Sequence, residues 1–286
     1  MSQQLHIALT FDDNFWAPAY ATMRSICLAT PRAQDVVFHL IHWHLTAEHR
    51  EVLTGITTEF SAKLVDHRLE DDAELAAHLA RLPLAKGFSP IVYARLFLSH
   101  YLPESAQKFL FIDCDTYVRA PIEKLMGIEL AGKALAAAPE PGRQLLLRGP
   151  DMQPNGKPFA SYDGYFNAGV LVIDRKKFAA ADLPGRLDKH VETGLIDVLY
   201  QDQDILNLAF RGDWLELEPR WNLTKPHPAL RSLDPHIVHY TTGMKPWKSL
   251  AYVAFGSSYK HVMTRAIFAR YRRERWRRKL LRLIGR

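Results

Sequence analysis

Two aspartates one residue apart, Asp113 and Asp115, end the apolar run KFLFIDCDTYV (Lys108 to Val118). In an extended chain, positions i and i+2 share a side with Cα atoms ~7 Å apart, so both carboxylates can address one cation while Cys114 between them turns to the core. Such oxygen ligands suit Mg²⁺ or Mn²⁺, hard ions that keep coordination positions open for phosphate oxygens. The plain alternative is a solvated turn after a strand. Other groups able to do chemistry are scattered along the chain. Asp12-Asp13-Asn14 follows the first apolar run, and Arg95 lies in YARLFLSHYL, where a helix-surface role is the simple alternative. Asp202 and Gln203 directly precede DILNLAF (204–210), where an acidic residue is also good helix-capping chemistry. His239 follows Ile237-Val238 and by itself reads as a satisfied core histidine. His42 and His44 in IHWH share one face of an extended chain, but a half-buried strand with polar positions explains them more simply than a metal does.

The elements that position these groups follow from periodicity. LHIALTF (5–11), VVFHLIHW (36–43), KLVDHRL (63–69) and KFLFID (108–113) read as strands, with helices predicted over Pro18–Ala29, Thr46–Glu59 and Asp71–Leu82 between the early ones. That βαβα alternation predicts a mostly parallel sheet covered on both faces. Ligands of such sheets bind at the carboxyl ends of strands, where the Asp12 and Asp113 clusters stand. Two later runs, YFNAGVLVID (165–174) and HIVHY (236–240), also end in polar residues. The Pro/Gly-rich stretch Pro139–Pro158, with Leu145–Leu147 inside it, reads as a long loop and a lid over a site.

At 286 residues and 48% apolar composition, the chain suits one large domain with a small appendage and excludes disordered and fibrous classes. Its two cysteines, Cys27 and Cys114, suggest a reducing compartment rather than a disulfide framework. With no signal-like N-terminus and no run of 18 uncharged apolar residues, the expectation is a cytoplasmic protein that does not span a membrane. Charge is segregated. Nine arginines and Lys279 against Glu274 give residues 264–286 a net +9, so a chain of +6 leaves −3 on the remainder. Trp276, Leu280, Leu283 and Ile284 form one helical stripe among those arginines, a pattern that predicts attachment to an anionic membrane surface. Nucleic acid is the rival partner on electrostatics and is disfavoured because the rest of the chain does not read as a nucleic-acid module.

Five ordered blocks, FDDNF (11–15), YARL (93–96), FIDCDTYV (111–118), YFNAGVLVID (165–174) with YQDQDILN (200–207), and HYTTGMKPW (239–247), resemble family 8 of the glycosyltransferases. The likeness is greatest to bacterial lipopolysaccharide core α-galactosyl- and α-glucosyltransferases. The resemblance implies a single Rossmann-like nucleotide-sugar-binding domain of the A-type glycosyltransferase fold over residues 1–255, with a basic amphipathic helical segment at 256–286. It implies a retaining transfer of galactose or glucose from UDP-Gal or UDP-Glc to a lipid-linked oligosaccharide, at the inner face of the cytoplasmic membrane. By the same resemblance Asp113, Asp115 and His239 bind Mn²⁺ (or Mg²⁺), and Asp12 and Asn14 hold uridine and ribose. Arg95 reaches the donor, and Asn167, Ala168 and Gly169 lie beside the sugar. Asp202 and Gln203 cradle the transferred hexose as catalytic residues, and Lys245 grips the diphosphate. Two positions depart from the family pattern. Gly243 stands four residues after His239 where the family has three, and Glu140 replaces an aspartate facing the donor sugar. Two rivals use the same residues: a self-glycosylating primer protein of the glycogenin kind, and a metal-dependent phosphodiesterase or nucleotide hydrolase.

Overall fold

The structure, a computed structural model, describes residues 4–84, 88–140, 164–198, 201–248 and 250–283. The first two strands, β1 (Leu5–Asp12) and β2 (Val36–Trp43), are buried at all but their last position, as expected of inner parallel strands covered on both faces. The edge strand β3 (Lys63–Arg68) has no buried residue. The others are β4 (Lys108–Ile112), β5 (Thr116–Val118), β6 (Leu135–Pro139), β7 (Phe166–Asp174), β8 (Trp214–Glu216), β9 (Leu223–Thr224) and β10 (Ile237–His239). Seven strands form one sheet in the order β3-β2-β1-β4-β7-β6-β8; β5, β10 and β9 form a second. The large sheet is parallel except where β7 runs antiparallel to β4 and β6. The predicted α/β class and its early strands are therefore present.

Helices α1 (Trp16–Ala29), α2 (Ala47–Phe60) and α3 (Ala73–Ala80) fill the crossovers. Thr46 and Asp72 cap α2 and α3 by accepting from the His49 and Leu75 amides at 3.3 and 3.0 Å. After α4 (Leu98–Tyr101), α5 (Ile122–Met126), α6 (Arg175–Ala180), α7 (Leu183–Glu192) and α8 (Gln201–Ala209), the chain closes with α9 (Gly256–Val262) and α10 (Arg265–Leu283). Apolar clusters cover both faces of the large sheet. A third joins Trp16 of α1 to Tyr240, Trp247, Tyr259 and Tyr271, and so fastens α9 and α10 to the end of the sheet where β1 finishes. The tail helix thus has two apolar faces. Tyr271 is buried inward with Ile267 and Phe268 packed beside it, while Trp276 and Leu280 point outward at 54% and 57% exposure. Ile284 and most of the predicted loop, residues 141–158, lie outside the described residues.

Imidazoles cross the first three strands in a line. His6 Nδ1 lies 3.0 Å from His39 Nε2, and His39 Nδ1 lies 3.2 Å from His67 Nε2. A neutral ring offers one donor and one acceptor, so such a line is satisfied only while each ring stays neutral. Burial pushes His39 down to about 3, with His6 and His67 adding to it, and burial also lowers His6 and His67. His42 instead pairs with Asp66 at 2.9 Å and His44 with Glu70 at 3.1 Å, so each imidazole has a carboxylate partner of its own. Because the unfolded chain takes up protons below about pH 6.5 and the folded line resists them, stability falls as pH drops from there towards the folded values. Urea midpoints measured between about pH 7 and about pH 5 should fall on acidification, and His39→Gln should flatten that slope. Equal slopes for parent and variant would remove the histidine line from the explanation.

Candidate active site

A cleft of 1480 Å³ opens beyond the carboxyl ends of β1 and β4. Asp113-Cys114-Asp115 does not continue the strand, as the spacing predicts, but turns between β4 and β5. The cause is a set of hydrogen bonds that a strand would not make. The Thr116 hydroxyl donates to the Asp113 carbonyl at 2.9 Å, and the Thr22 hydroxyl of α1 reaches the Cys114 and Thr116 carbonyls at 2.8 and 3.0 Å. Cys114 does face the core, buried against the Thr10 carbonyl. The turn brings ligand atoms of Asp113, Asp115 and His239 within 4.8 Å of one another. His239 Nε2 stands 3.0 Å from Asp115 Oδ1 and 3.5 Å from Asp113 Oδ2.

A chain of amides sets the histidine. The Glu140 carboxylate accepts from Asn167 Nδ2 at 2.9 Å, which leaves Asn167 Oδ1 to accept from Asn222 Nδ2 at 2.8 Å. Asn222 Oδ1 then accepts from His239 Nδ1 at 3.0 Å. With its proton on Nδ1, His239 presents a lone pair at Nε2 to the two carboxylates. Three acceptors converging this way need a cation, and two carboxylates with one imidazole fit a divalent ion such as Mn²⁺. Burial alone would raise the Asp115 carboxyl, yet His239 and Lys245, whose Nζ lies 2.5 Å away, hold it well below the usual carboxylate range. Gly169 on β7 makes the approach possible, since a Cβ there would stand 2.2 Å from His239 Cε1 and 2.6 Å from Asp113 Oδ2.

Arg95 is not on a helix surface. It lies buried in the 3₁₀ stretch Pro90–Phe97, donating to Asp113 at 2.9 Å and to the Ala168 carbonyl at 3.0 Å, over the Phe111 ring. Its Nε is also 2.7 Å from Asp202 Oδ2, an ion pair without hydrogen-bond alignment. Burial pushes the Asp202 carboxyl up to about 6 against the pull of Arg95. Gln203 is held at both ends, its Oε1 accepting from the Ala168 amide at 3.0 Å and its Nε2 donating to Tyr165 Oη at 3.2 Å. Asp12 accepts from the Asn14 amide at 2.9 Å and so shapes the loop after β1. Asp12, Asn14, Glu140, Asn167, Gln203, Lys245 and Gly243 all border the cleft, whereas Ala168 and Gly169 support it from behind. A Cβ on Gly243 would meet nothing within 4 Å, so no contact demands glycine there.

Sequence reasoning missed Asn222, for which neither spacing nor neighbours gave a signal. It also missed α10 as a wall of this cleft. The Tyr271 hydroxyl donates to the Asn14 carbonyl at 2.8 Å, and Arg278 contacts the Asn14 side-chain oxygen. The spacing of Ile267, Phe268 and Tyr271, one turn apart, was the available signal for docking. Gly169→Ala should weaken Mn²⁺ binding about tenfold or more, because neither His239 nor Asp113 can retreat without leaving the cluster. Mn²⁺ titration by proton relaxation checks this; parental affinity would mean that the cluster does not bind the ion.

The sequence profile described as Glycosyl transferase family 8 matches residues 6–251. The chain is 25% identical over 284 residues to General stress protein A of Bacillus subtilis, covering 91% of this chain and 93% of that protein. It is 20% identical over 265 residues to the lipopolysaccharide 1,3-galactosyltransferase of Salmonella typhimurium (87% and 74%). It spans only 29% of GlyD, a longer glycosyltransferase of Streptococcus pneumoniae that is 28% identical over 268 residues. The solved structure of the galactosyltransferase LgtC with donor and acceptor sugar analogs superposes with a TM-score of 0.72 at 24% identity, over 91% of this chain and 95% of that one, a likeness of fold. A mostly parallel sheet with its carboxylate cluster beyond β4, under a family profile that spans most of the sequence, places this chain in glycosyl transferase family 8.

Proposed function

We propose that this glycosyltransferase moves galactose or glucose, with retention, from UDP-Gal or UDP-Glc to the core of a lipid-linked lipopolysaccharide. The observation that carries the reading is the convergence of Asp113, Asp115 and the Nε2 lone pair of His239 beside Lys245. The likeness to the Salmonella lipopolysaccharide galactosyltransferase supports the donor and acceptor classes. Residues 1–255 form the catalytic domain in this reading, and 256–286 bring it to the inner face of the cytoplasmic membrane. No helix among the described residues is long and apolar enough to cross a membrane.

The bond that breaks joins the sugar C1 to the β-phosphate oxygen of UDP, and negative charge grows on that phosphate. Bound at Asp113, Asp115 and His239, Mn²⁺ (or Mg²⁺) would offset this charge as a Lewis acid. Lys245 lies beside the same carboxylates and adds a flexible point charge that can follow the departing phosphate. One such preorganised contact contributes roughly 3–4 kcal/mol. Gln203 has both ends of its amide engaged, and an amide is a weak nucleophile, so no covalent adduct is required of it. Gln203 and Asp202 instead stabilise the oxocarbenium-like sugar. The acceptor hydroxyl bonds to C1 on the face that UDP leaves, and its proton passes to the departing phosphate oxygen.

A panel of UDP- and GDP-sugars, read by thermal shift and UDP release with and without Mn²⁺, should give Mn²⁺-dependent stabilisation by UDP-Gal or UDP-Glc alone. In the same assay Asp115→Asn should lose at least about a hundredfold in kcat, whereas Gln203→Ala should lose about tenfold. Indifference to every UDP-sugar by folded protein would favour the hydrolase reading, and a glycosyl adduct on Gln203 or Asp202 would contradict front-face attack.

Attachment to the membrane rests on the outward Trp276 and Leu280 beside the arginines of α10. Replacing both by Asp should abolish co-sedimentation with phosphatidylglycerol vesicles. Undiminished sedimentation would locate attachment elsewhere.

A further inference from the structure

The cleft is larger than one ligand needs. Pockets that bury a drug-sized ligand run to about 1,000 Å³, and this one measures 1480 Å³, room for a donor and a second molecule. Its lining holds two groups of charges. Asp113, Asp115 and Asp202 are paired with Arg95 and Lys245, and Arg272, Arg275, Arg278 and Lys279 of α10 line the same cleft.

Helical geometry explains why these cations gather there. At about 100° per residue, Arg275, Lys279 and Arg272 fall within one ~60° arc beside the inward Tyr271. Glu274, the acidic residue of the helix, points to the other flank, where it accepts from Trp16 Nε1 at 3.0 Å and Arg270 at 2.9 Å and lies 3.3 Å from His49. Among the described residues, no carboxylate lies within 4.0 Å of a side-chain nitrogen of Arg272, Arg275, Arg278 or Lys279. Arg275 leans on the Tyr271 ring at 5.6 Å and Lys279 on the Trp276 ring at 5.4 Å. The helix itself is anchored by Tyr271 in the third apolar cluster, so the wall is fixed in place.

We infer that this wall is an anion subsite for the acceptor, gripping a phosphate on the sugar that receives the hexose. The inference rests on the transferase reading above and adds the acceptor's chemical class, a phosphorylated saccharide. In the transferase reading the donor's diphosphate is met by Lys245 and the ion held at the carboxylate cluster, which leaves the α10 cations for a second anion. Trp276 follows Arg272 and Lys279 around the helix and offers a face for a sugar ring or for the lipid beyond it. A lipid-linked phosphosugar and a free one share this chemistry.

The test uses the full chain at about 0.15 M salt, where unspecific attraction is screened beyond about 8 Å. Galactose 1-phosphate and galactose are titrated calorimetrically, once with saturating UDP and Mn²⁺ and once with neither. Galactose 1-phosphate should bind about tenfold or more tighter than galactose in both conditions, and Arg272→Glu with Lys279→Glu should erase the difference while the affinity for UDP changes less than about twofold. Equal binding of the two sugars would overturn the inference. So would displacement of galactose 1-phosphate by UDP, which would assign the wall to the donor. A double variant that loses phosphatidylglycerol vesicles but keeps galactose 1-phosphate would overturn it too, by assigning the cations to the membrane. Failure of UDP to bind would count against the transferase reading, and the titration without nucleotide would still decide the subsite. Adding a prenyl-linked galactosyl phosphate separates the lipid-linked source, which should bind tighter still, from the free one.

Discussion

Three carboxylates, Asp113, Asp115 and Asp202, gather beyond the end of β4, Asp202 buried and the other two partly so. Two like charges about 4 Å apart at an effective dielectric near 20 repel by about 4 kcal/mol, so the fold must supply positive charge at the same spot. Arg95 links Asp113 to Asp202, and Lys245 meets Asp115. Loss of Arg95 would leave buried carboxylates unpaired, a change that costs about 3–5 kcal/mol in comparable pairs. The surrounding structure reads as support for this arrangement. Thr22 holds the turn that presents the aspartates, Gly169 lets His239 approach, and the Glu140–Asn167–Asn222 line orients the imidazole.

The second constraint is the attachment of α10. A helix with nine cationic side chains would be solvated as an appendage, but Tyr271 and Glu274 tie it to Asn14, Trp16 and His49 beside the loop after β1. The acidic floor and basic rim consequently belong to one cleft. The outward Trp276 and Leu280 lie on the same helix, so the rim and the surface proposed to meet the membrane are set by one rigid element.

Much of this was legible in the sequence, and the misses have physical causes. Inner parallel strands are nearly continuous apolar runs, so β1, β2 and β4 stood out, and HIVHY marked β10; β8 and β9, three and two residues long, are too short for any period to show. The Asp113–Asp115 spacing pointed to residues that the fold does bring together, but for an incomplete reason, since strand geometry was assumed where Thr22, remote in sequence, imposes a turn. Arg95 was masked by a helical pattern that folds as a 3₁₀ stretch and is buried through contacts with β4 and α8. Asn222 was invisible because a lone amide acquires meaning only from the partners that the fold brings to it. The tail was read from its outward stripe and its charge alone. Its inward stripe, Ile267, Phe268 and Tyr271, was present in the sequence but competes with so many arginines that packing was hard to infer.

The claim on which the account turns is that Asp113, Asp115 and His239 hold a divalent ion against the donor diphosphate. Anomalous scattering at the manganese edge from crystals grown with UDP and Mn²⁺ tests it most directly. The account predicts one strong peak bounded by the two carboxylates and His239 Nε2, in contact with the phosphates. Bound UDP with no peak there, or with manganese held elsewhere, would contradict it.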